Sequence, residues 1–471
     1  MPGNYVQIFN VGDPAYASAL NGAVIRVLST PTPKQLTVSA SYGGRTMATG
    51  DYSAGFGGQP WLVDSLYQLT DASWLQWLNA YLQGNFTVVA DYAQGGTRSS
   101  VGVALLTKIR AGPRAQYAFI QYCTNDVNSG TPDPHGCVAN IKEIIAAVEE
   151  LGMVPVLCTP PAIGDRAAQP SNPGSLAKNA ALQTILQEER QIARADTKVI
   201  LLDTYSQTVD PSNAAGGYLP DYAPVDGLHP STYGEVMMAR ALSTYLRRSV
   251  PVFDLLPTFA TADPQAGAAP SNIIQNGMLA GTDGRVSSAA DNFVSGSAPT
   301  GWSFSASGGT ATNPLSLAVS GNNSHPGIPG YTLDVGISSA GPGALFQFGT
   351  NAPNGSSFDG RIVPGNWYRC GFQLSAATAL SNFSVYGQVF LNFGGGNSPS
   401  VYFMSPESRY DNGMPMGRGE TLQLLSQPFF VPSRPVGGAY FFINGIFSGP
   451  AAGQAFWLGR AFCQVVADPY A

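Results

Sequence analysis

Charge is scarce in this chain: only 11% of its 471 residues are charged, and Lys and Arg form no block. With a formal net charge of −6, the sequence offers no electrostatic footprint for nucleic acid or for an anionic membrane surface. Neutral polar ligands such as glycans fit that balance better. No apolar run approaches the ~20 residues that span a bilayer. The segment Met1-Pro2-Gly3-Asn4 lacks the basic and apolar regions of a secretory signal. The expectation is an extracellular or virion-associated protein with no visible signal peptide, which leaves the cell by another route or has had its signal removed. Cysteine is also sparse. Cys123, Cys137, Cys158, Cys370 and Cys463 include no CxxC pair and no metal-ligand spacing, so neither a metal nor a cofactor is expected. They read as small buried hydrophobes, with Cys123/Cys137 and Cys370/Cys463 open to oxidation where the compartment allows it.

What is abundant is Gly (55), Pro (36) and apolar residues (44%), a loop-rich, β-containing composition. The length exceeds the usual single domain, so two domains are expected, each long enough to bury a core. From residue 45 to 250, short apolar runs alternate with longer segments of helical period, the pattern of a parallel sheet covered by helices. Strands are expected at Thr46–Thr49, Phe86–Ala90, Tyr117–Tyr122, Val154–Leu157 and Val199–Leu202, and helices beginning near Pro60, Thr70, Gly136, Ser175 and Pro230. Ile141, Ile144, Ile145 and Val148 repeat at helical spacing, and Gly152 stands where that helix should stop. Residues 251–270, punctuated by proline, read as a linker. Beyond them, 271–471 show short alternating runs such as Phe383–Leu391, which predict a β-sandwich. Residues 1–44 read as an arm or anchoring element. There Tyr5–Phe9 and Ala23–Leu28 are strand candidates without an evident partner.

Only three histidines exist, His135, His229 and His325, and general-base chemistry at neutral pH most often uses this residue. His229 follows Asp226 by three residues, just before Pro230 and a helix bearing Tyr233, Val236, Met237 and Leu242. An Asp that orients an imidazole and stabilises its charged form is what a hydroxyl nucleophile's base requires. The bland alternative is a capping Asp beside a surface His. His135 reads as a loop residue at a helix start, and His325 as a turn residue.

Three further segments stand in chain order before that pair: Thr49-Gly50-Asp51-Tyr52-Ser53, Asp91-Tyr92-Ala93-Gln94-Gly95-Gly96-Thr97, and Cys123-Thr124-Asn125-Asp126. Together the four blocks resemble the SGNH (GDSL-type) ester hydrolases. The resemblance implies a flavodoxin-like three-layer αβα domain. It also implies a Ser53–His229–Asp226 triad, with Asp51, Tyr52 and Asp126 as supporting motif residues. The Gly96 backbone N–H and the Asn125 side-chain amide would donate to the oxyanion. Two departures stand out. The family places serine directly after Gly-Asp, whereas here Tyr52 holds that position and Ser53 follows it. Either the turn shifts so that Ser53 reaches His229, or the nucleophile is lost. Cys123 stands where the family usually has Gly, and a side chain there would narrow the pocket beside Asn125 and suit a small acyl group such as acetyl.

The segments Asn272–Met278 and Pro299–Trp302 resemble the opening of carbohydrate-binding jelly-roll modules, so a jelly-roll-like sandwich is expected. Trp302, Trp367, Tyr368 and Trp457 are candidates to stack on sugar faces, with Trp302 and Trp457 favoured as core. The combined reading is a serine ester hydrolase that removes O-acyl, chiefly O-acetyl, groups from a polysaccharide, in a homo-oligomer or on a virion. The competing reading is a catalytically inert SGNH-fold binding or structural protein, such as a virion tail component.

Overall fold

The computed structural model describes residues 5–9, 24–32, 35–38, 41–42, 45–46, 59–62, 74–86, 88–90, 92–93, 96–128, 132–163, 174–213, 215–219, 222, 229–250, 272–274, 276–288, 294–307, 315–321, 324–325, 328, 330–338, 344–350, 362–392, 400–404, 413–431, 438–449 and 451–467. At the start of the chain lie β1 (Tyr5–Phe9), β2 (Val24–Thr32), β3 (Gln35–Val38), β4 (Ser41–Tyr42), β5 (Arg45–Thr46) and β6 (Gln59–Leu62). The two strand candidates of the arm pair with each other, Tyr5 opposite Arg26, in a sheet of order β3-β2-β1-β6. The helix expected near Pro60 is instead β6, the edge strand of that sheet, where a residue without an N–H is tolerated. Arg45–Thr46 closes a small hairpin with Ser41–Tyr42. The rest of the strand expected at 46–49 lies outside the described residues, as does the linker 251–270.

The α/β unit contains α1 (Trp74–Tyr81), α2 (Ser99–Ala104), α3 (Leu106–Ala111), β7 (Tyr117–Ile120), α4 (Thr124–Val127), α5 (Pro134–Glu150), β8 (Val154–Cys158), α6 (Gly174–Ala195), β9 (Ile200–Leu202), α7 (Thr204–Thr208) and α8 (Thr232–Leu246). β7, β8 and β9 form a parallel sheet, with Phe119 opposite Val156 and Leu157 opposite Leu201. Side chains alternate along a strand, and β8 shows the result. Val156 and Cys158 face α1 and α8 with Trp77, Leu78, Val236 and Leu242, whereas Leu157 faces α5 and α6 with Ile141, Ile144, Leu182 and Ile185. The domain is therefore a three-layer αβα unit. Gly152, at φ +74, ends α5 with the left-handed residue that a helix stop requires.

Residues Phe86 and Val88–Ala90, expected as a strand, join no ladder among the described residues. Phe86 packs edge-on against Tyr117 and Phe119, and the Val88 N–H donates to the Gln427 side chain of the second domain at 3.2 Å. A backbone donor committed to that amide is unavailable for pairing with β7.

The second unit has thirteen strands among the described residues: β10 (Arg285–Ser288), β11 (Val294–Gly296), β12 (Trp302–Ser307), β13 (Leu315–Ser320), β14 (Thr332–Ile337), β15 (Leu345–Thr350), β16 (Trp367–Ala376), β17 (Phe383–Asn392), β18 (Ser400–Phe403), β19 (Thr421–Leu425), β20 (Phe429–Phe430), β21 (Gly438–Phe447) and β22 (Gln454–Val466). They form two sheets, β10-β12-β15-β21-β17-β18 and β11-β13-β14-β22-β16-β19, with β20 on β16. Phe304, Phe346, Phe348, Phe383 and Phe441 from the first sheet meet Val335, Phe372, Leu374, Phe456 and Leu458 from the second in one buried core, so the domain is a β-sandwich. Each such ring removed from water contributes about 1.5–3 kcal/mol.

The α1/α8 face of the α/β unit docks beside β19. Arg240 pairs with Glu420 at 3.1 Å, and Gly84 lies so close to Leu425 that a Cβ there would fall 1.7 Å from its Cδ1. The two units are packed against one another through this seam.

Candidate active site

Side chains on loops converge beyond the carboxyl edge of a parallel sheet, and here that edge lies beyond Ile120, Cys158 and Leu202. After β7 the chain reverses through Cys123, at φ +76 and ψ −20, into the single turn α4. A left-handed backbone at a residue with a Cβ costs about 1–2 kcal/mol, which explains why glycine suits this position. Cys123 is bonded to Cys137 in the first turn of α5, with Cα atoms 6.0 Å apart. The first of the two oxidised pairs left open by the sequence is thus formed. The pocket-narrowing role read for Cys123 gives way to this tether, since its sulfur is taken up by Cys137.

α4 carries Asn125 and Asp126, and both reach back to the preceding block. The Asn125 Nδ2–H donates to the Thr97 carbonyl at 3.0 Å. The Asp126 carboxylate accepts from the Ser99 N–H at 3.0 Å and from the Ser99 hydroxyl at 2.7 Å. Ser99 is fully buried, and its Oγ accepts in turn from Asn140 on α5 at 2.9 Å. These bonds clasp α4 to the segment holding Gly96, which is exposed and has φ +75. Among the described residues no neighbour lies within 4 Å of a Cβ placed at Gly96, and its positive φ is the backbone reason for glycine there.

His229 is exposed and lies three residues before α8. Ser231 caps that helix by accepting from the Gly234 N–H at 3.1 Å. A run of backbone bonds carries the helix start to the sheet edge: the Leu219 N–H donates to the Thr208 carbonyl at 2.8 Å, Tyr222 to Leu219 at 3.1 Å, and Ser231 to Tyr222 at 3.4 Å. Since α7 follows directly from β9, His229 sits at the same edge of the domain as Asn125. Ser53, Asp51, Tyr52 and Asp226 lie outside the described residues. The other two histidines are placed elsewhere: His135, in the first turn of α5, contacts Glu188 at 2.7 Å, and His325, in the sandwich, contacts Asp334 at 3.0 Å and stacks on Trp457.

Beneath the edge, Thr159 ties β8 to β9. Its N–H donates to the Leu202 carbonyl at 3.0 Å, and its Oγ1 accepts from the Tyr205 N–H at 3.0 Å. Deeper still is Glu189 on α6, fully buried, with neither carboxylate oxygen hydrogen-bonded among the described residues. Burial, reinforced by the nearby Asp203 charge, pushes its carboxyl up to about 8. Ligand atoms of Cys123, Asp126 and Cys137 lie within 4.8 Å of one another, yet both sulfurs are spent in the disulfide and the carboxylate is held by Ser99. That cluster does not fit a metal ion. Among the described residues no helix is long and apolar enough to cross a membrane.

The sandwich buries most of the aromatic residues singled out in the sequence and turns others outward. Trp302, Trp367 and Tyr368 are buried, the Tyr368 hydroxyl donating to the Val363 carbonyl at 3.1 Å. Trp457 is not core but half-buried under His325. The outward face of β15, β17 and β21 instead bears Phe390, Tyr440 and Phe442 in a row, Tyr440 and Phe442 stacked with centroids 6.0 Å apart. Beside them runs a ladder of amides, Gln347 donating to Asn444 at 3.1 Å and Asn444 to Gln388 at 3.3 Å. None of these three strands carries a charged residue. Strand alternation reveals this face, but only once the core side of each strand is known.

An αβα unit whose polar loops are clasped together at the carboxyl edge of its parallel sheet is the class of domain defined here. Residues 50–236 match the model of the GDSL-like lipase/acylhydrolase family. Residues 50–236 are thus similar to the GDSL-like lipases and acylhydrolases, a family of ester hydrolases. Solved structures similar to parts of the chain include a GDSL-like lipase from Bacteroides thetaiotaomicron, at 19% identity, covering 33% of this chain and 73% of that one with a TM-score of 0.28. The M. smegmatis aryl esterase is 14% identical over 39% of this chain and 88% of that one, with a TM-score of 0.31. A xylan-binding domain from CBM 22 is 18% identical over 35% of this chain and 87% of that one, with a TM-score of 0.22. No curated protein matches the chain.

Proposed function

We propose that the protein is a serine ester hydrolase that removes O-acyl groups, chiefly O-acetyl, from a polysaccharide. Ser53 attacks the ester carbonyl. His229 takes the Ser53 proton and later returns it to the departing sugar hydroxyl, and Asp226 orients the imidazole and stabilises its charged form. The Gly96 N–H and the Asn125 amide donate to the oxyanion of the tetrahedral intermediate, and water then hydrolyses the acyl-enzyme. The observation that carries this reading is the bond from Asn125 to Thr97, which leaves a second Nδ2–H beside Gly96 at the edge where His229 stands. No cofactor enters the scheme.

The uncharged aromatic and amide face of the sandwich supports a neutral glycan as the substrate's carrier, since rings match the apolar faces of pyranoses and amides match their hydroxyls. An extracellular or virion-bound setting suits such a substrate. The competing reading, an inert binding protein, draws on Tyr52 in the position directly after Gly50-Asp51. Hydrolysis of p-nitrophenyl acetate separates the two. The proposal expects turnover that falls by about 10³-fold or more in both Ser53→Ala and His229→Ala; turnover indifferent to Ser53→Ala would remove Ser53 from its role, and no turnover in the parent chain would favour the inert reading.

A further inference from the structure

We propose that the Cys123–Cys137 disulfide is a positioning device for Asn125, so that ester hydrolysis depends on the thiol redox state of this pair. The inference rests on the hydrolase reading above and names a regulation of the same site.

Three observations carry it. Cys123 holds a backbone angle, φ +76, that residues with a side chain rarely adopt unless the surroundings impose it. The residue is the hinge of α4, its carbonyl accepting the Val127 N–H at 3.0 Å, and a helix of four residues has almost no stability of its own. The anchor at the other end is firm. Cys137 lies in the first turn of the 17-residue α5, which Asp133 caps and which Val138, Ile141 and Ile144 bury against the sheet. The disulfide therefore transmits the rigidity of α5 to the hinge, and the hinge sets the direction of Asn125. With the bond broken, Cys123 is released toward the ordinary right-handed or extended regions, which rotates α4 and draws the Asn125 amide off its line to the Thr97 carbonyl and the oxyanion position.

The redox step is thiol–disulfide exchange with a dithiol. One thiolate attacks a cysteine sulfur and forms a mixed disulfide, and the second thiolate displaces the protein sulfur. The protein S–S bond breaks, two protein thiols form with two protons, and the reductant leaves as a cyclic disulfide. Cys158, Cys370 and Cys463 are already thiols, so this pair is the reducible bond among the described residues.

The test uses the full chain, oxidised or treated with dithiothreitol, with far-UV circular dichroism to show that it stays folded. Reduction is expected to lower kcat by about tenfold or more with KM within about twofold, because an oxyanion donor acts in the transition state. Cys137→Ala should behave as the reduced parent does. Adding Cys123→Gly to Cys137→Ala should restore kcat and abolish sensitivity to dithiol, since glycine adopts the left-handed angle unaided; a merely stabilising crosslink would show no such rescue. Amide hydrogen exchange read over 123–128 should rise on reduction while that of 141–148 stays put. A reduced, folded chain with unchanged kcat and exchange overturns the proposal, as does a folded Cys123→Gly/Cys137→Ala variant that fails to recover. If the oxidised chain hydrolyses no ester, the hydrolase reading has failed, and the exchange over 123–128 still decides whether the disulfide holds α4.

Discussion

The Nδ2 of Asn125 lies 3.0 Å from the carbonyl oxygen of Thr97, which joins the turn after β7 to the segment that holds Gly96. One amide hydrogen is thereby spent on aiming the side chain, and in the proposed mechanism the other donates to the oxyanion. Asn125→Ala is expected to lower kcat for p-nitrophenyl acetate by about 10²–10³-fold with little change in KM. Steady-state kinetics on the purified variant provide the check.

Ser99 and Asp126 form the second clasp between the same two segments, with Asn140 completing it. Ser99→Ala removes one hydroxyl from a fully buried site and strips a partner from both Asp126 and Asn140. The expected loss is about 1–3 kcal/mol of unfolding free energy, measured by urea denaturation.

Glu189 makes stability pH-dependent. Its folded-state pKa is raised from 4.5 to about 8, so the folded chain holds a proton that the unfolded chain releases between those values. The stabilisation linked to that proton is fully present below pH 4.5 and lost as pH rises through about 8. Over that window the unfolding free energy should fall by a few kcal/mol, on the order of 1.4 per pH unit. Glu189→Gln keeps the shape without the titration, and denaturant melts from pH 5 to 8 should show a flatter profile in that variant.

Gly84 adopts φ +73 directly against Leu425, where the α/β unit meets the sandwich. Gly84→Ala must strain the turn and also push Leu425 aside, and a loss of about 1–3 kcal/mol is expected. In Leu425→Ala the added methyl finds room, so the double variant should fall short of the sum of the two single losses. Thermal melts of the four proteins close that cycle.

The sequence carried the layers of the fold because period and burial coincide there. Ile141, Ile144, Ile145 and Val148 predict a helix that covers a sheet, and α5 does so. The alternating run at Phe383–Leu391 predicts a sandwich strand, and β17 supplies one. Phe86–Ala90 misled because apolar β-branched composition cannot reveal that the Val88 N–H is claimed by Gln427, more than three hundred residues away. Pro60 misled because proline opens helices as readily as it sits on an edge strand. Asn125 and Gly96 are singled out by their blocks, whereas the disulfide could not be read from the sequence: a spacing of 14 residues between Cys123 and Cys137 fixes no distance in space. The outward row of Phe390, Tyr440 and Phe442 was equally hidden, since alternation alone does not say which side of a strand is core.

In the proposed mechanism Ser53 is the nucleophile and His229 activates it. Mass spectrometry after exposure to a fluorophosphonate, which phosphonylates an activated serine, tests it most directly. One adduct per chain is expected, mapped by peptide sequencing to Ser53 and nearly absent in His229→Ala. An intact, folded chain that takes up no adduct, or takes it up at a residue other than Ser53, would contradict it.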